Sequence, residues 1–269
     1  FIDCSVGIYV DGYLGDVESL ANAVIRNNLF IRDENEDWAI EGIRIRTNEE
    51  VEISNNIFSN IDNVTQEEDF VRVSSGIHFI EEFGFVFADN NTSIRNNIFH
   101  DDVVNGTGIG VLATDDDGFA SDYNLYWHIA HPFDDGAGEE NWEGNDDLLS
   151  DAAGDDPEFV NDPFGIDYAF YLDSDSPCID AGDPIVDYRD LNHTGNDRGI
   201  YGGKGAEPGM EELYFGTITA NATCEVEAEI PDTYDLTVED IIFTIDEDFE
   251  VNGVMTVEDG GTLTFAGGA

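Results

Sequence analysis

The hexamer IRNNIF at residues 94–99 is the stretch from which the architecture of this chain can be inferred. Two close copies precede it, IRNNLF at residues 25–30 and ISNNIF at residues 53–58, and a degenerate copy, YNLYW, follows around Asn124. Self-similarity at a few tens of residues, in units too small to bury a core alone, is typical of solenoids. The asparagines that align across the four copies are Asn28, Asn56, Asn97 and Asn124.

A Gly-Ile pair stands ahead of each hexamer, and its surroundings indicate which kind of solenoid to expect. Apolar and polar residues alternate with period two, as in Ile43-Arg44-Ile45-Arg46, which is the pattern of strands and not of helices. We therefore predict an all-β fold, namely a right-handed parallel β-helix (solenoid) of roughly four coils. The pairs are Gly7-Ile8, Gly42-Ile43, Gly76-Ile77 and Gly108-Ile109, spaced by 35, 34 and 32 residues.

An asparagine directly after a strand suits the corner of such a coil, because Asn tolerates the left-handed backbone region and hydrogen-bonds its own backbone. In stacked coils, equivalent asparagines can also hydrogen-bond to one another along the axis. The same superposition would stack Phe58 on Phe99 inside the coils. We predict a structural asparagine ladder at four positions, Asn28, Asn56, Asn97 and Asn124.

The composition is strongly acidic, with 61 Asp and Glu residues against 9 Lys and Arg and a formal net charge of -52 on 269 residues. High net charge opposes folding, but 41% hydrophobic residues in a regular repeat supply a core. Molar salt reduces the screening length to about 3 Å and keeps a carboxylate surface hydrated. The composition therefore resembles that of proteins from extreme halophiles. A calcium-loaded extracellular protein is the alternative, and the two are compatible.

The sign of the charge also bears on partners. Nucleic acids and anionic membranes need basic patches, so we expect neither as a partner. The sequence has no apolar run of about 18 residues, so we expect no direct membrane insertion in this stretch. The chain starts at Phe1 without a methionine and stops at Ala269 directly after a strand-like run, and we expect both ends to be cut from a longer polypeptide.

Three motifs follow the repeats. They read DDPEFVNDP at residues 155–163, YLDSDSPCIDAGDP at residues 171–184 and DLNHTGNDRGIYGG at residues 190–203. In this order they resemble the closing segment of a large family of secreted parallel β-helix repeat proteins of the pectate-lyase-like superfold. The final turn departs from the family pattern, because GIYGG stands where DIGAYE is expected. The resemblance implies a β-helix over residues 1–205, with a closing segment near residues 134–205, and an extracellular or cell-surface location.

Beyond residue 205 the sequence changes character. Residues 206–269 alternate as strands and lack the asparagine hexamer, and VNGVMTVEDGGTLTF at residues 251–265 resembles the first coil of another surface β-solenoid. We therefore predict a second, smaller β-strand-rich module over residues 206–269. The alternative is a sheet that adds to the first helix or pairs with a neighbouring molecule.

The superfold hosts polysaccharide lyases and glycoside hydrolases, so catalytic groups have to be sought. Lyases of uronans need a base beside calcium-binding carboxylates, and no such set is evident. Arg44 and Arg46 alternate on one strand face with acids nearby, while Arg26 and Arg95 occupy equivalent positions in two repeats, which favours structural ion pairs. We therefore expect a non-enzymatic module, with a polysaccharide lyase or glycoside hydrolase as the alternative.

Calcium (Ca2+) is the candidate cofactor, at two acidic stretches. Asp190, Asn192 and Thr194 place oxygens at positions 1, 3 and 5 of a loop with Gly195 at position 6, as in an EF-hand. Tyr201 stands at position 12, so the bidentate Glu of a full EF-hand is missing. The second candidate is the cluster Asp115, Asp116 and Asp117.

The remaining polar motifs fit a secreted chain. Its sequons indicate N-glycosylation in loops, although some arise by chance in an asparagine-rich sequence. They begin at Asn63, Asn90, Asn91, Asn105, Asn192 and Asn221. The three cysteines, Cys4, Cys178 and Cys224, lack metal spacing, allow at most one disulfide, and are interpreted mainly as buried thiols.

A surface of this charge repels anionic polysaccharides unless divalent cations bridge the two, so a glycan ligand would be neutral. Aromatic rings would contact such a glycan, and core or loop packing is the competing interpretation for the same rings, Trp38, Trp127, Trp142 and Tyr126. These observations predict an extracellular, non-enzymatic module that serves as a structural scaffold, adhesin or filament subunit. Its exposed end coils would allow end-to-end assembly with further copies as a homo-oligomer.

Overall fold

The computed structural model of the chain describes most of the repeat region and parts of the remainder, and the chain divides into two compact units, residues 1–155 (unit 1) and residues 156–269 (unit 2). The described segments are residues 6–11, 23–31, 41–46, 50–60, 75–79, 92–101, 108–113, 119–134, 146–150, 153–160, 170–173, 175–185, 190, 194–203, 216–218, 222–224, 228–230, 235–238, 242–245, 249–251, 254–258 and 261–265.

Unit 1 is built from short strands, three to each sequence repeat. The first two repeats give β1 (Val6–Asp11), β2 (Ala23–Arg26), β3 (Leu29–Ile31), β4 (Glu41–Arg46), β5 (Val51–Ser54) and β6 (Ile57–Ser59). The next two give β7 (Ser75–Phe79), β8 (Thr92–Arg95), β9 (Ile98–His100), β10 (Ile109–Leu112), β11 (Phe119–Asp122) and β12 (Leu125–Trp127). A further repeat contributes β13 (His131–Asp134) and β14 (Leu148–Ser150), and a 3-10 turn follows at Ala153–Asp155.

Successive strands of unit 1 enter three sheets in turn. Sheet 1 has the order β1-β4-β7-β10-β13, sheet 2 the order β11-β8-β5-β2, and sheet 3 the order β14-β12-β9-β6-β3. The pairings within these sheets are parallel. The prediction of an all-β fold of stacked parallel strands is thus confirmed for the described residues, and the arrangement is compatible with a parallel β-helix.

All three sheets contribute to one apolar core. Ile43 and Ile77, partners in the register of sheet 1, are completely buried, as are Ile53 and Ile94 in sheet 2. Like residues therefore superpose from one repeat to the next. Burial of each such side chain stabilises the fold by about 1.5 to 3 kcal/mol, and this gain offsets the cost of ordering the short strands.

The aromatic residues of sheet 3 form a continuous stack. Phe30, Phe58, Phe99 and Tyr126 lie nearly parallel, with ring centroids 4.9, 4.7 and 4.6 Å apart along the series. This spacing matches the separation of neighbouring strands, which is about 4.7 to 4.9 Å. The register of the sheet thereby sets the ring separation, and the expected stacking of Phe58 on Phe99 is present.

A row of glycines in sheet 1 accommodates this stack. A Cβ atom on Gly42 would lie 2.6 Å from ring carbons of Phe58 and 2.7 Å from the carbonyl oxygen of Gly76, so no larger residue fits without displacement. At each of the other glycines in the row, an added Cβ atom would likewise lie 2.6 to 2.7 Å from a ring carbon of the stack. The row consists of Gly7, Gly42, Gly76 and Gly110.

The fourth glycine corrects one sequence alignment. Val111 pairs with Ile77, and Ile109 pairs with Ser75. Gly110 therefore occupies the position of Gly76, and the alignment of Gly108-Ile109 with the earlier Gly-Ile pairs is wrong by two residues. The motif GIGV contains two glycines, and only contact with an aromatic ring distinguishes them.

We predict that Gly42→Ala destabilises the protein by about 1 to 3 kcal/mol, because the added methyl group overlaps both the Phe58 ring and a neighbouring backbone carbonyl. Equilibrium denaturation at constant high salt would measure the change. Gly154→Ala is the matched control, because a Cβ there meets no atom within 4 Å. Equal stability of the two variants would contradict the proposed fit between glycine row and aromatic stack.

Unit 2 contains a hairpin-like pair and a second set of short strands. The antiparallel pair is β15 (Phe159–Val160) with β16 (Tyr171–Leu172). The strands that follow are β17 (Gly216–Ile218), β18 (Ala222–Cys224), β19 (Ala228–Ile230), β20 (Asp235–Val238), β21 (Ile242–Ile245), β22 (Phe249–Val251), β23 (Val254–Val257) and β24 (Thr262–Phe265).

These later strands again visit three parallel sheets in turn, in the orders β17-β20-β23, β18-β21-β24 and β19-β22. Register partners are 19 to 21 residues apart, a shorter period than in unit 1. Ile218, Leu236, Val238 and Phe243 are completely buried. Residues 216–265 therefore have their own apolar interior, built from strands that stack in parallel.

Backbone hydrogen bonds join the second and third motifs of the closing segment, at residues 171–184 and 190–203. Gly182 N donates to Asn196 O, and Arg198 N donates to Cys178 O. An isolated antiparallel bridge joins Thr194 to Ile218 in β17. The predicted boundary between residues 205 and 206 stays a prediction.

Candidate functional site

The four aligned asparagines lie in one hydrogen-bonded row, at the corner between sheets 2 and 3. At each step the backbone N and the side-chain Nδ2 of one asparagine both donate to Oδ1 of the asparagine in the next repeat, at 2.9 to 3.0 Å. Asn56, Asn97 and Asn124 are completely buried. Their Nδ2 groups also donate to backbone carbonyls of the same and the preceding repeat, so the buried amides are well satisfied.

The left-handed backbone conformation belongs to the residue before each member of this row. Asn27, Asn55 and Asn96 have φ values of 54°, 53° and 58°, and Tyr123 has 59°. The first asparagine of each NN pair therefore supplies the tolerated positive φ, and the second supplies the hydrogen bonds. Tyr123 adopts the same conformation although Tyr occupies the left-handed region less readily than Asn.

Asp147 continues the row as a fifth member that the sequence comparison missed. Its Oδ1 accepts from the backbone N and Nδ2 of Asn124, at 2.7 and 3.0 Å, and its Oδ2 accepts from Ser121 Oγ at 2.6 Å. A carboxylate only accepts hydrogen bonds, so the side chain of Asp147 has no N–H group to donate to a further member of the row. The signal in the sequence is NDDLLS at residues 145–150, which matches the hexamer pattern with Asp in place of Asn.

We predict that Asn97→Ala lowers the free energy of unfolding by about 1 to 3 kcal/mol, because it leaves two buried donors of Asn56 without their acceptor. Asn28→Ala is the matched comparison. This substitution removes the donors of Asn28 but leaves no other described asparagine without its acceptor. It should therefore lower the free energy of unfolding by less than Asn97→Ala does. Chemical denaturation measures both, and an equal or neutral effect of the two variants would argue against a buried row.

A second group of polar side chains lies on the solvent side of sheet 1. We name it the outer-face cluster. Tyr9, Arg44 and His78 are successive register partners across β1, β4 and β7, and the apolar residues that alternate with them are buried in the core. The cluster consists of Tyr9, Glu41, Arg44, Arg46 and His78.

Glu41 organises this cluster. Arg44 donates to it through two nitrogens, Nε to Oε2 and Nη2 to Oε1, the latter at 2.5 Å. His78 Nδ1 lies 3.2 Å from Oε1. The guanidinium carbons of Arg44 and Arg46 lie 6.0 and 5.7 Å from the centre of the Tyr9 ring, which is 47% exposed. An exposed aromatic ring is thus bordered by fixed hydrogen-bonding groups.

Glu41 and Arg44 keep their charges over a wide pH range. Burial alone would raise the pKa of Glu41, but His78 and Arg44 outweigh it and lower that pKa to about 2. The hydrogen bond to Glu41 raises the pKa of Arg44. Sequence reasoning anticipated ion pairing of Arg44 but did not find Tyr9, Glu41 or His78, because the three residues come from three different repeats and only the register brings them together.

The predicted calcium residues are described only in part. Asp190 accepts hydrogen bonds from Gly203 N at 2.5 Å, from Asp197 N at 3.3 Å and from Thr194 Oγ1 at 3.4 Å. Asn192 and the cluster Asp115, Asp116 and Asp117 lie outside the described residues. Within the described part of the chain, no group of three or more His, Cys, Asp or Glu residues is arranged to hold a metal ion. Calcium binding stays a prediction.

Asp190 and Asp197 form a buried acidic pair. Burial raises the pKa of both well above the usual range of Asp. The charge of Asp197 raises the pKa of Asp190 further, and the charge of Asp180 acts on both. Like charges at close range in a buried site disfavour full ionisation.

A raised pKa in the folded chain has a defined consequence for stability. Between the usual pKa of Asp and the raised one, the folded state binds more protons than the unfolded state, so this contribution to stability falls as pH rises through the window. We predict that Asp197→Asn, a neutral replacement of similar shape, weakens the fall in unfolding temperature between pH 5 and pH 9 at constant salt. Asp183→Asn, at a buried aspartate outside the pair, is the control. Parallel pH profiles of Asp197→Asn and the unaltered protein would refute the assignment.

Several other predicted residues can be placed. Tyr126 and Trp127 are buried in β12, so core packing is the correct interpretation for these two rings. Cys178 is a buried free thiol, and burial raises its pKa to about 12. Trp38, Trp142 and Cys4 lie outside the described residues, as do the sequons at Asn63, Asn90, Asn91, Asn105, Asn192 and Asn221.

Comparison with known proteins gives no assignment. No protein-family model matches the chain, and neither a curated protein nor a solved structure matches it. Among the described residues, no helix is long and apolar enough to span a membrane. The case for a function therefore depends on the geometry of the outer-face cluster and of the sheets that carry it.

Proposed function

We propose that the chain is an extracellular or cell-surface adhesin module, in which a right-handed parallel β-helix and a smaller β-rich C-terminal module present the outer-face cluster to a neutral glycan. The observation that carries this proposal is the half-exposed Tyr9 ring, bordered by Arg44 and Arg46 on a flat parallel sheet. Sugars combine apolar ring faces with hydroxyl groups, so an aromatic surface beside fixed donors and acceptors suits them.

The helical part of the proposal is supported by the order in which strands enter the sheets. The first four repeats of unit 1 each contribute one strand to sheets 1, 2 and 3 in the same order, and β13 and β14 then add to sheets 1 and 3. A chain that returns to the same sheet in parallel after each repeat must cross over, and crossovers between parallel strands are right-handed in nearly all proteins. The shared apolar core between the sheets fits the interior of such a helix.

The charge of the chain supports a neutral ligand. A net charge of -52 repels polyanions over distances that depend on salt. Within the outer-face cluster, the positive charge of Arg44 is matched by the carboxylate of Glu41. Arg46 adds one further positive charge, so the preference for a neutral ligand rests on the charge of the whole chain, while the cluster supplies hydrogen-bonding groups and an exposed ring.

Binding to a panel of neutral and uronate-containing oligosaccharides in molar salt would test the proposal. We expect binding of a neutral oligosaccharide, weakened at least tenfold by Tyr9→Ala. Val24→Ala is the matched control, because Val24 is similarly exposed, at 49%, but lies in β2 of sheet 2. Selective binding of uronates, or equal loss in both variants, would overturn the proposal.

A further inference from the structure

The outer-face cluster contains a pair of side chains that glycan binding alone does not require. Glu41 lies 3.2 Å from Nδ1 of His78, and both oxygens of Glu41 are fixed by Arg44. A carboxylate at Nδ1 orients an imidazole and leaves Nε2 as the nitrogen that can accept a proton. The His78 side chain is 27% exposed and that of Glu41 is 13% exposed, so the imidazole is partly exposed while its partner is mostly covered.

Arg44 stands beside this pair. Arg44 and His78 are register partners on adjacent strands, so their side chains are neighbours on the same face. Arg44 carries five N–H groups, and two of its nitrogens donate to Glu41, which leaves N–H groups for a further acceptor. A proton acceptor and a fixed cation thus lie next to each other, close to the Tyr9 ring.

We propose that Glu41 and His78 form a general-base dyad that hydrolyses carboxylic esters carried by a neutral glycan, such as O-acetyl groups. This inference goes beyond the glycan-binding proposal and rests on it for the class of substrate. Two other reactions fit the described residues less well. Glycosidic hydrolysis uses two carboxyl groups, and the cluster has one. Elimination in uronans needs an anionic substrate, which the charge of the chain repels.

The proposed hydrolysis consumes one water molecule for each ester. A water oxygen attacks the ester carbonyl carbon while His78 Nε2 takes a proton from that water. Arg44 stabilises the negative charge that develops on the carbonyl oxygen. The bond between the carbonyl carbon and the sugar oxygen then breaks, and the proton on His78 passes to that oxygen. The products are a carboxylic acid, which ionises, and a free hydroxyl group. No oxidant, reductant or metal takes part.

Other charged groups near His78 are few in the described part of sheet 1. On β4 they are Glu41 and Arg44, and the Tyr9 hydroxyl lies two strands away on β1. On the other side His78 pairs with the apolar Leu112 of β10, whose partner on β13 is Asp134. Glu41 is therefore the carboxylate that contacts His78 in the described part of sheet 1.

Hydrolysis of p-nitrophenyl acetate, and acetate release from acetylated xylo-oligosaccharides, would test the dyad in the intact chain in molar salt. We expect His78→Asn and His78→Gln each to lower the rate at least 100-fold, in line with the general-base contribution of about 10² to 10⁴. His131→Asn is the matched control, because His131 is an exposed histidine on β13 outside the cluster. Circular dichroism would verify that each variant is folded.

The pH profile separates catalysis from a structural role. General-base catalysis needs an unprotonated base, so the rate of the unaltered chain should rise with pH to a plateau, and Glu41→Gln should lower that plateau. Equal rates in the His78 and His131 variants, or no ester hydrolysis by the unaltered chain, would overturn the inference. If ester hydrolysis is absent but His78→Asn still binds the unacetylated oligosaccharide, the dyad is refuted and the glycan-binding proposal is not.

Discussion

A buried asparagine amide that hydrogen-bonds to the same amide one repeat away is the interaction on which unit 1 depends. Two donors of one residue meet one acceptor of the next, so the contact fixes both the spacing and the register of the sheets on either side. A shift of one residue would turn each strand's apolar side chains outward. It would also place a Cβ where Gly42 now admits the Phe58 ring. The asparagine row, the aromatic stack and the glycine row are thus three consequences of one register.

Part of this architecture could be read from the sequence, because superposed positions use the same residue type. The hexamers repeat Asn and Phe, and those residues form the row and the stack. The prediction from the sequence was less accurate where two different residues could occupy the same structural position. In GIGV both glycines satisfy the pattern, and only contact with Tyr126 identifies Gly110. Asp147 was missed because a different residue type performs the acceptor half of an asparagine's role there, only 23 residues after Asn124.

The outer-face cluster could not be found by the same reasoning. Its members do not repeat: the positions of Tyr9, Arg44 and His78 are equivalent in the sheet but carry three different side chains. Residues that maintain a repeat are alike from one repeat to the next, whereas residues that form a site differ, because each serves a separate contact. The rigid sheet then holds these unlike side chains at strand spacing, which loops would do less accurately.

The carboxylate of Asp147 gives the asparagine row a direction. Asn56, Asn97 and Asn124 each accept two hydrogen bonds at Oδ1 and donate two to the next member. A repeat with an asparagine at this position could therefore stand between any two of them and meet the same partners. Asp147 accepts in the same way but has no side-chain N–H group. A repeat placed after it would receive no side-chain hydrogen bond from Asp147.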